Sequence, residues 1–235
     1  MSHPFLTPDF HIRWSTLTAE SIQTDIKAAL EDAAAAIDAF LAQDRGRLTF
    51  ESVVLALDET TRRLNEAWGL VNHLDALCNA PALREAHNAM LPSVSSFFAK
   101  IPLNADIWDL LLTYSKTEQA KALTGIRRRA LDETMESFRQ HGAELPADKK
   151  SRLEQIESEL SGLTQKYSEN VLDSTNAWDL VIDDPERLKG LPQSAIDAAR
   201  QDAEAKGHGN AESPKYRFTL KAPSLIPVLE YLEDE

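Results

Sequence analysis

Six histidines, one cysteine and a few acid–base neighbours are the residues whose types could do chemistry in this 235-residue sequence. His3, His11, His73, His87, His141 and His208 include no pair at i, i+4, and no H-E-x-x-H string occurs. A zinc site needs three or four ligands converging at about 2 Å, and one cysteine with scattered histidines carries no such signature. The histidines therefore read as surface or packing residues, and no metal ligand is nominated. His73 and Asp75 are two apart, so on a helix they face different sides and make a poor acid/base pair. Glu204 and His208 have helical spacing, but His208 falls in a glycine turn, which suits a solvated pair. Cys78 could act as a nucleophile only beside a base, and nothing nominates one; a lone helical cysteine reads as a small apolar group. Arg127-Arg128-Arg129 is the densest basic run, yet Asp132 and Glu133 follow at i+4 from Arg128 and Arg129, the pattern of a salt-bridged, solvated helix face. Acidic neighbours Asp183-Asp184 and Glu233-Asp234-Glu235 suit turn and helix-end solvation. No G-x-S-x-G, Walker loop or G-x-G-x-x-G appears. The residues alone thus nominate no catalytic side chain and leave substrate-binding residues unknown.

The whole-chain balance excludes further classes. With 25 basic against 38 acidic side chains the net charge is −13, and no basic segment supplies the phosphate contacts that nucleic-acid binding requires. No stretch approaches the roughly 18 apolar residues of a membrane span. The N-terminus lacks a basic segment followed by an apolar run, so no signal peptide is expected, and one cysteine cannot form an intrachain disulfide; both suit a cytoplasmic protein. Eight glycines are about half the usual fraction of roughly 7%, which, with abundant Ala, Leu, Glu and Gln, favours long helices.

The elements follow from caps and periodicity. Residues 1–17 carry Phe5, Phe10 and Trp14, which predicts an extended arm packed by its rings. Thr18 caps a helix through Ile22, Ile26, Leu30, Ile37 and Leu41, ending near Gln43. Thr49 caps a longer one through Val53, Leu57, Leu64, Trp68, Val71 and Leu74 to Cys78. Pro81 suits the first position of the next. Pro92 and Pro102 then predict two or three short helices over 81–115, with Asn104 capping the last. Thr117 opens a helix through Leu123, Ile126 and Phe138 to about Gly142. After Pro146, Leu153, Ile156, Leu160, Leu163, Tyr167 and Val171 step by threes and fours, the seam of a helix packed lengthwise, expected as an antiparallel hairpin with the helix before it. Beyond Asn176 the pattern changes. Residues 178–182 and the alternating Tyr216, Phe218 and Leu220 predict two short strands that pair, with a helix over about 192–206 and the turn Gly207-His208-Gly209-Asn210 between them. Pro223–Glu235 begins another helix, apolar on more than one face. The expectation is a mostly α fold, antiparallel helical bundles or hairpins with a small two-stranded β element near the C-terminus, divided into a helical region 1–175 and a strand-helix-strand segment 176–235.

Strings along the whole chain point to a family. Pro4-Phe5-Leu6-Thr7-Pro8, then His73-Leu74 through Asn79-Ala80-Pro81-Ala82-Leu83-Arg84-Glu85-Ala86 to Leu91-Pro92, are followed by Leu160-Ser161-Gly162-Leu163. Tyr167-Ser168-Glu169-Asn170-Val171-Leu172-Asp173, Trp178, Leu191-Pro192-Gln193-Ser194-Ala195, Phe218-Thr219-Leu220-Lys221-Ala222-Pro223-Ser224 and Ile226-Pro227-Val228 complete the set. In this order and spacing they resemble the N-terminal part of the thimet oligopeptidase family of zinc metallopeptidases.

The resemblance implies a longer, nearly all-helical, two-lobed enzyme whose deep channel admits short unstructured peptides. It implies zinc held by the two histidines of an H-E-x-x-H helix and a later glutamate, all downstream of this chain, with the motif glutamate as general base. No cofactor is then expected on this chain and zinc is expected in the full-length enzyme. The implied partners are the missing catalytic region of the same polypeptide and short peptides, with no nucleic acid and no membrane. Carried over residue by residue, the resemblance yields an empty catalytic list and a role as part of the channel wall. It also makes position 235 read as a cut inside a helix, with Pro223–Glu235 the least packed helix and the chain alone inactive. The alternative is a stand-alone helical scaffold or adaptor, derived from such a peptidase and binding a protein partner without catalysis.

Overall fold

The computed structural model describes residues 3–7, 10–78 and 80–233; Pro8, Asn79 and the acidic pair at 234–235 singled out above lie outside them. Two compact units divide the chain, Met1–Gly162 and Leu163–Glu235. Among the described residues there are nine α-helices and one two-stranded sheet.

In the first unit, α1 (Ala19–Leu41) starts behind Thr18, whose backbone is extended. The Thr18 side chain hydrogen-bonds the Glu20 carboxylate and holds its pKa below the ordinary value. Thr49 and Ser52 form a reciprocal cap: the Ser52 N–H donates to Thr49 Oγ1 at 3.1 Å and the Thr49 N–H to Ser52 Oγ at 3.1 Å. The helix they open begins with a π-helical turn, Glu51–Leu55, before α2 (Ala56–Cys78). Ile22, Ile26, Leu64, Ala67, Val71, Met90 and Val94 from α1, α2 and α3 (Pro81–Leu103) close one buried cluster.

Several expectations fail for identifiable reasons. The predicted break at Pro92 does not occur, because α3 runs through Pro92 and Pro102 without interruption. A proline inside a helix costs about 3 kcal/mol, but Ala86, Met90 and Val94 are buried on either side of Pro92, and that burial offsets it. Pro102 sits in the last turn, where little helix remains to lose. Of the arm's three rings only Phe5 is buried; Phe10 is 94% exposed and Trp14, in a 3-10 turn, lies against the His73 ring. A buried carboxylate holds the arm instead: Asp25 accepts the Phe5 N–H at 2.9 Å and lies 2.9 Å from His3 Nδ1. The helix predicted from Thr117 is two. Thr117 caps α5 (Glu118–Lys121), and α6 (Gly125–Gln140) restarts at Gly125, whose φ of +57° is a conformation that side-chain-bearing residues avoid.

α4 (Ala105–Ser115) is capped as predicted, Asn104 Oδ1 accepting the Asp106 and Ile107 N–H groups. It buries Ile107, Leu110, Leu111 and Tyr114 against Phe50, Val53, Leu131 and Phe138. The Tyr114 hydroxyl meets no hydrogen-bond partner among the described residues. Burial first, then the Glu51 carboxylate, raise its pKa above the ordinary value, with Arg127 opposing. A raised folded pKa means that its contribution is intact below about pH 10, the unfolded value, and is lost as pH rises toward the folded one. Tyr114→Phe removes both the unpaired hydroxyl and this titration. Urea melts should show it more stable by about 1 kcal/mol at neutral pH, with a shallower decline above about pH 10 than the parent. A loss instead would mean that the hydroxyl is paired in solution.

The long helix α7 (Ala147–Ala177) corrects the expected seam, since none of its residues is buried. Leu160, Leu163, Tyr167 and Val171 are 51%, 63%, 71% and 48% exposed. Apolar spacing identifies one face of a helix, not what covers it. In the first unit α7 is tied to α3: Ser161 Oγ lies 2.7 Å from Ser95 Oγ, Lys100 pairs with Glu154, and Lys150 Nζ donates to the Leu103 carbonyl. These pairs run in opposite directions along the two helices.

In the second unit β1 (Asp179–Ile182) pairs antiparallel with β2 (Tyr216–Thr219), Leu180 opposite Phe218. A 3-10 turn (Pro185–Leu188), α8 (Gln193–Ala205) and α9 (Ala222–Tyr231) complete it. Ile182, Leu188, Leu191, Ala199 and Phe218 form its core, with Val228 and Leu232 packed against it. No residue of α9 is buried, and Ile226, Leu229 and Tyr231 are exposed.

Candidate functional site

The residues weighed for chemistry stay apart. His87 is buried, its ring stacked 4.9 Å from Trp68, with Nε2 3.0 Å from Asn72 Oδ1 and Nδ1 3.2 Å from Asn88 Oδ1. That fixes packing between α2 and α3. His73 stands against Trp14, His141 Nδ1 lies 2.7 Å from the Ser137 carbonyl at the end of α6, and Cys78 is exposed. Arg128 and Arg129 pair with Asp132 and Glu133 as the i+4 spacing predicts. Their guanidinium pKa values are raised by those bonds, and Asp132 is lowered by Arg128. Arg127 instead crosses to Glu51 at 3.0 Å and lies over the Phe50 ring. Among the described residues no group of three or more His, Cys, Asp or Glu converges as a metal site, so these side chains do not fit a zinc centre. No helix there is long and apolar enough to cross a membrane.

One concave feature lies in the second unit. A cavity of about 430 Å³ opens between the end of α7, α8, β2 and the start of α9. Its wall mixes Ala195, Ala198, Ala199, Phe218 and Pro223 with Asn176, Asp202, Lys206, Arg217, Lys221 and Ser224. Arg217 organises it: Nε donates to Asp179 Oδ2 at 2.6 Å and Nη1 to Asp202 Oδ2 at 2.5 Å, so one half-buried guanidinium joins β1, α8 and β2. The bonds to Asp179 and then Asp202 raise its pKa further. Ser224 Oγ accepts the Thr219 N–H at 2.9 Å, fixing α9 to the strand. Sequence reasoning missed this cavity. Arg217 falls between the alternating apolar residues Tyr216 and Phe218 and Lys221 within a motif string, and their meeting with Asp202 and Lys206 depends on how α8 crosses the sheet.

Over residues 22–150, more than half of the chain, the sequence matches the family profile described as the neurolysin/thimet oligopeptidase N-terminal domain. The chain belongs to this family. Matched residues of the neurolysin/thimet oligopeptidase domain run from within α1 to the start of α7. Oligopeptidase A of Haemophilus influenzae is 32% identical over 234 residues, which cover 100% of this chain and 33% of that protein. Oligopeptidase A of Escherichia coli is 30% identical over 235 residues, covering 100% and 34%. The organellar oligopeptidase A of Arabidopsis thaliana is 28% identical, covering 99% and 30%. The chain thus corresponds to the N-terminal part of oligopeptidase A and spans about a third of the length of these relatives.

Proposed function

We propose that this chain is the N-terminal helical portion of an oligopeptidase A-like zinc metallopeptidase that hydrolyses short peptides, and that it forms part of the wall of the channel admitting them. The observation that carries the reading is the end-to-end match, 234 and 235 residues aligning with about a third of the two bacterial oligopeptidase A lengths. The uncovered face of α7 supports it, since Leu163 and Tyr167, four apart and largely exposed, suit a surface that packs against further polypeptide. Zinc in such an enzyme activates bound water as the nucleophile. Its ligands are assigned to polypeptide outside these 235 residues, because the described side chains bring no three ligands together. A cytoplasmic setting belongs to the proposal and is supported by a single, unpaired cysteine.

A chimera tests it, in which these 235 residues replace the matching part of Escherichia coli oligopeptidase A. The expected result is a folded, zinc-loaded enzyme that cleaves a short quenched-fluorescent peptide with kcat/KM within about tenfold of the parent and leaves a folded protein intact. A folded, zinc-loaded chimera that cleaves neither, or cleaves the folded protein, would overturn the wall assignment. The 235-residue chain by itself should neither cleave the peptide nor retain zinc, and one tightly held zinc per chain would refute the placement of the ligands.

A further inference from the structure

We propose that the cavity of the second unit binds a carboxylate carried on an apolar body, with Lys206 and Lys221 meeting the anion. The cavity's roughly 430 Å³ is the size of a small-molecule site, and its wall combines apolar surface with polar and charged side chains. Which polar groups remain available decides the ligand. The only acid on the wall, Asp202, is held by Arg217, and the Arg217 guanidinium is in turn held by Asp202 and Asp179. The ammonium groups of Lys206 and Lys221 have no ion-pair partner among the described residues. Ser224 Oγ already accepts the Thr219 N–H, which leaves its own proton to donate into the cavity. The free inventory is therefore cationic and donor-rich, and it calls for an anionic acceptor.

The remaining wall sets the rest of the ligand. Ala195, Ala198 and Phe218 present apolar surface, and a fully polar anion such as inorganic phosphate would leave it unsatisfied. An aliphatic or aromatic carboxylic acid fits both halves, as does the carboxylate end of a peptide with an apolar last residue. Both sources share the chemistry proposed. The proposal does not depend on the peptidase reading and stands whether or not the chimera is active.

Titration of the 235-residue chain by two-dimensional NMR tests it with four probes: N-acetyl-leucine, its amide, a leucine-ended tetrapeptide with a free carboxylate, and that peptide's C-terminal amide. Both acids should shift resonances of Ala198, Lys206 and Lys221, and each amide should bind at least about tenfold more weakly. Tighter binding of the free-ended peptide than of N-acetyl-leucine assigns the peptide source; equal binding assigns the free acid. The double variant Lys206→Gln/Lys221→Gln should lose about tenfold or more while keeping the parent's circular dichroism and melting temperature. Ala198→Leu, at an exposed helical position where leucine is tolerated, should fill the cavity and block both acids. Equal affinity for acid and amide, no shift with either acid, or undiminished binding by a folded double variant would overturn the proposal.

Discussion

Leu64→Ala is expected to lower the unfolding free energy by about 2–5 kcal/mol, the range for emptying a fully buried leucine position. Leu64 is 0% exposed on α2, in the cluster formed with Ile22, Ile26 and Val71, where α1 and α2 pack along their length. The backbone there is fixed by two helices and cannot collapse around the missing methyl groups, so the cavity cost adds to the lost transfer energy. Leu160→Ala is the contrasting case. By sequence spacing it belongs to the cleanest apolar seam in the chain, yet it is 51% exposed, and its truncation should cost less than about 1 kcal/mol. Urea melts of the two variants, compared at an unchanged slope, separate these values. Equal losses would mean that the α7 face is covered in solution.

Gly190→Ala should disrupt the end of α9. Gly190 has φ +93°, and a Cβ there would lie 2.0 Å from the Tyr231 carbonyl oxygen and 3.2 Å from the Glu233 nitrogen. The backbones meet at this point, where the Glu233 N–H donates to the Lys189 carbonyl at 3.0 Å. A side chain could rotate away from the intruding methyl, but the backbone carbonyl at the end of α9 moves only if the chain there moves with it. Strain from the left-handed φ alone costs about 1–3 kcal/mol, and the clash adds to it. The expected result is a stability loss above about 2 kcal/mol, with faster amide exchange at Leu232 and Glu233. Retention of parental protection at both amides would show that the close approach does not persist in solution.

The two leucines also show how far local sequence reaches. Three of the caps were legible where the bond closes within three residues, whereas the Thr18 side chain caps no N–H of α1. Thr49, Asn104 and Thr117 each accept a backbone N–H as their types predict. The two strands were legible from β-prone runs and their antiparallel pairing, and the i+4 pairs of Arg128 and Arg129 from helical spacing alone. Pro92 was misread because a local penalty was weighed without the burial of Met90 and Val94 on either side of it. The π-helical turn at 51–55 and the break before Gly125 left no signal that periodicity resolves.

The candidate site was illegible for a different reason. Arg217, Lys206 and Lys221 come from β2, the end of α8 and the start of α9, and nothing in their spacing brings them together. Asp25 is a similar case, a helical acid that looks solvated until the arm lays the Phe5 N–H and His3 against it.

Composition, caps and motif strings determined the helical class, the paired strands and the family, because those depend on backbone propensity and on residues close together in the chain. The tertiary structure decided which apolar faces are covered, which prolines a helix tolerates, and which residues line the cavity of the second unit. Those outcomes depend on burial and charge summed over residues far apart in sequence, and local spacing carries no record of that sum.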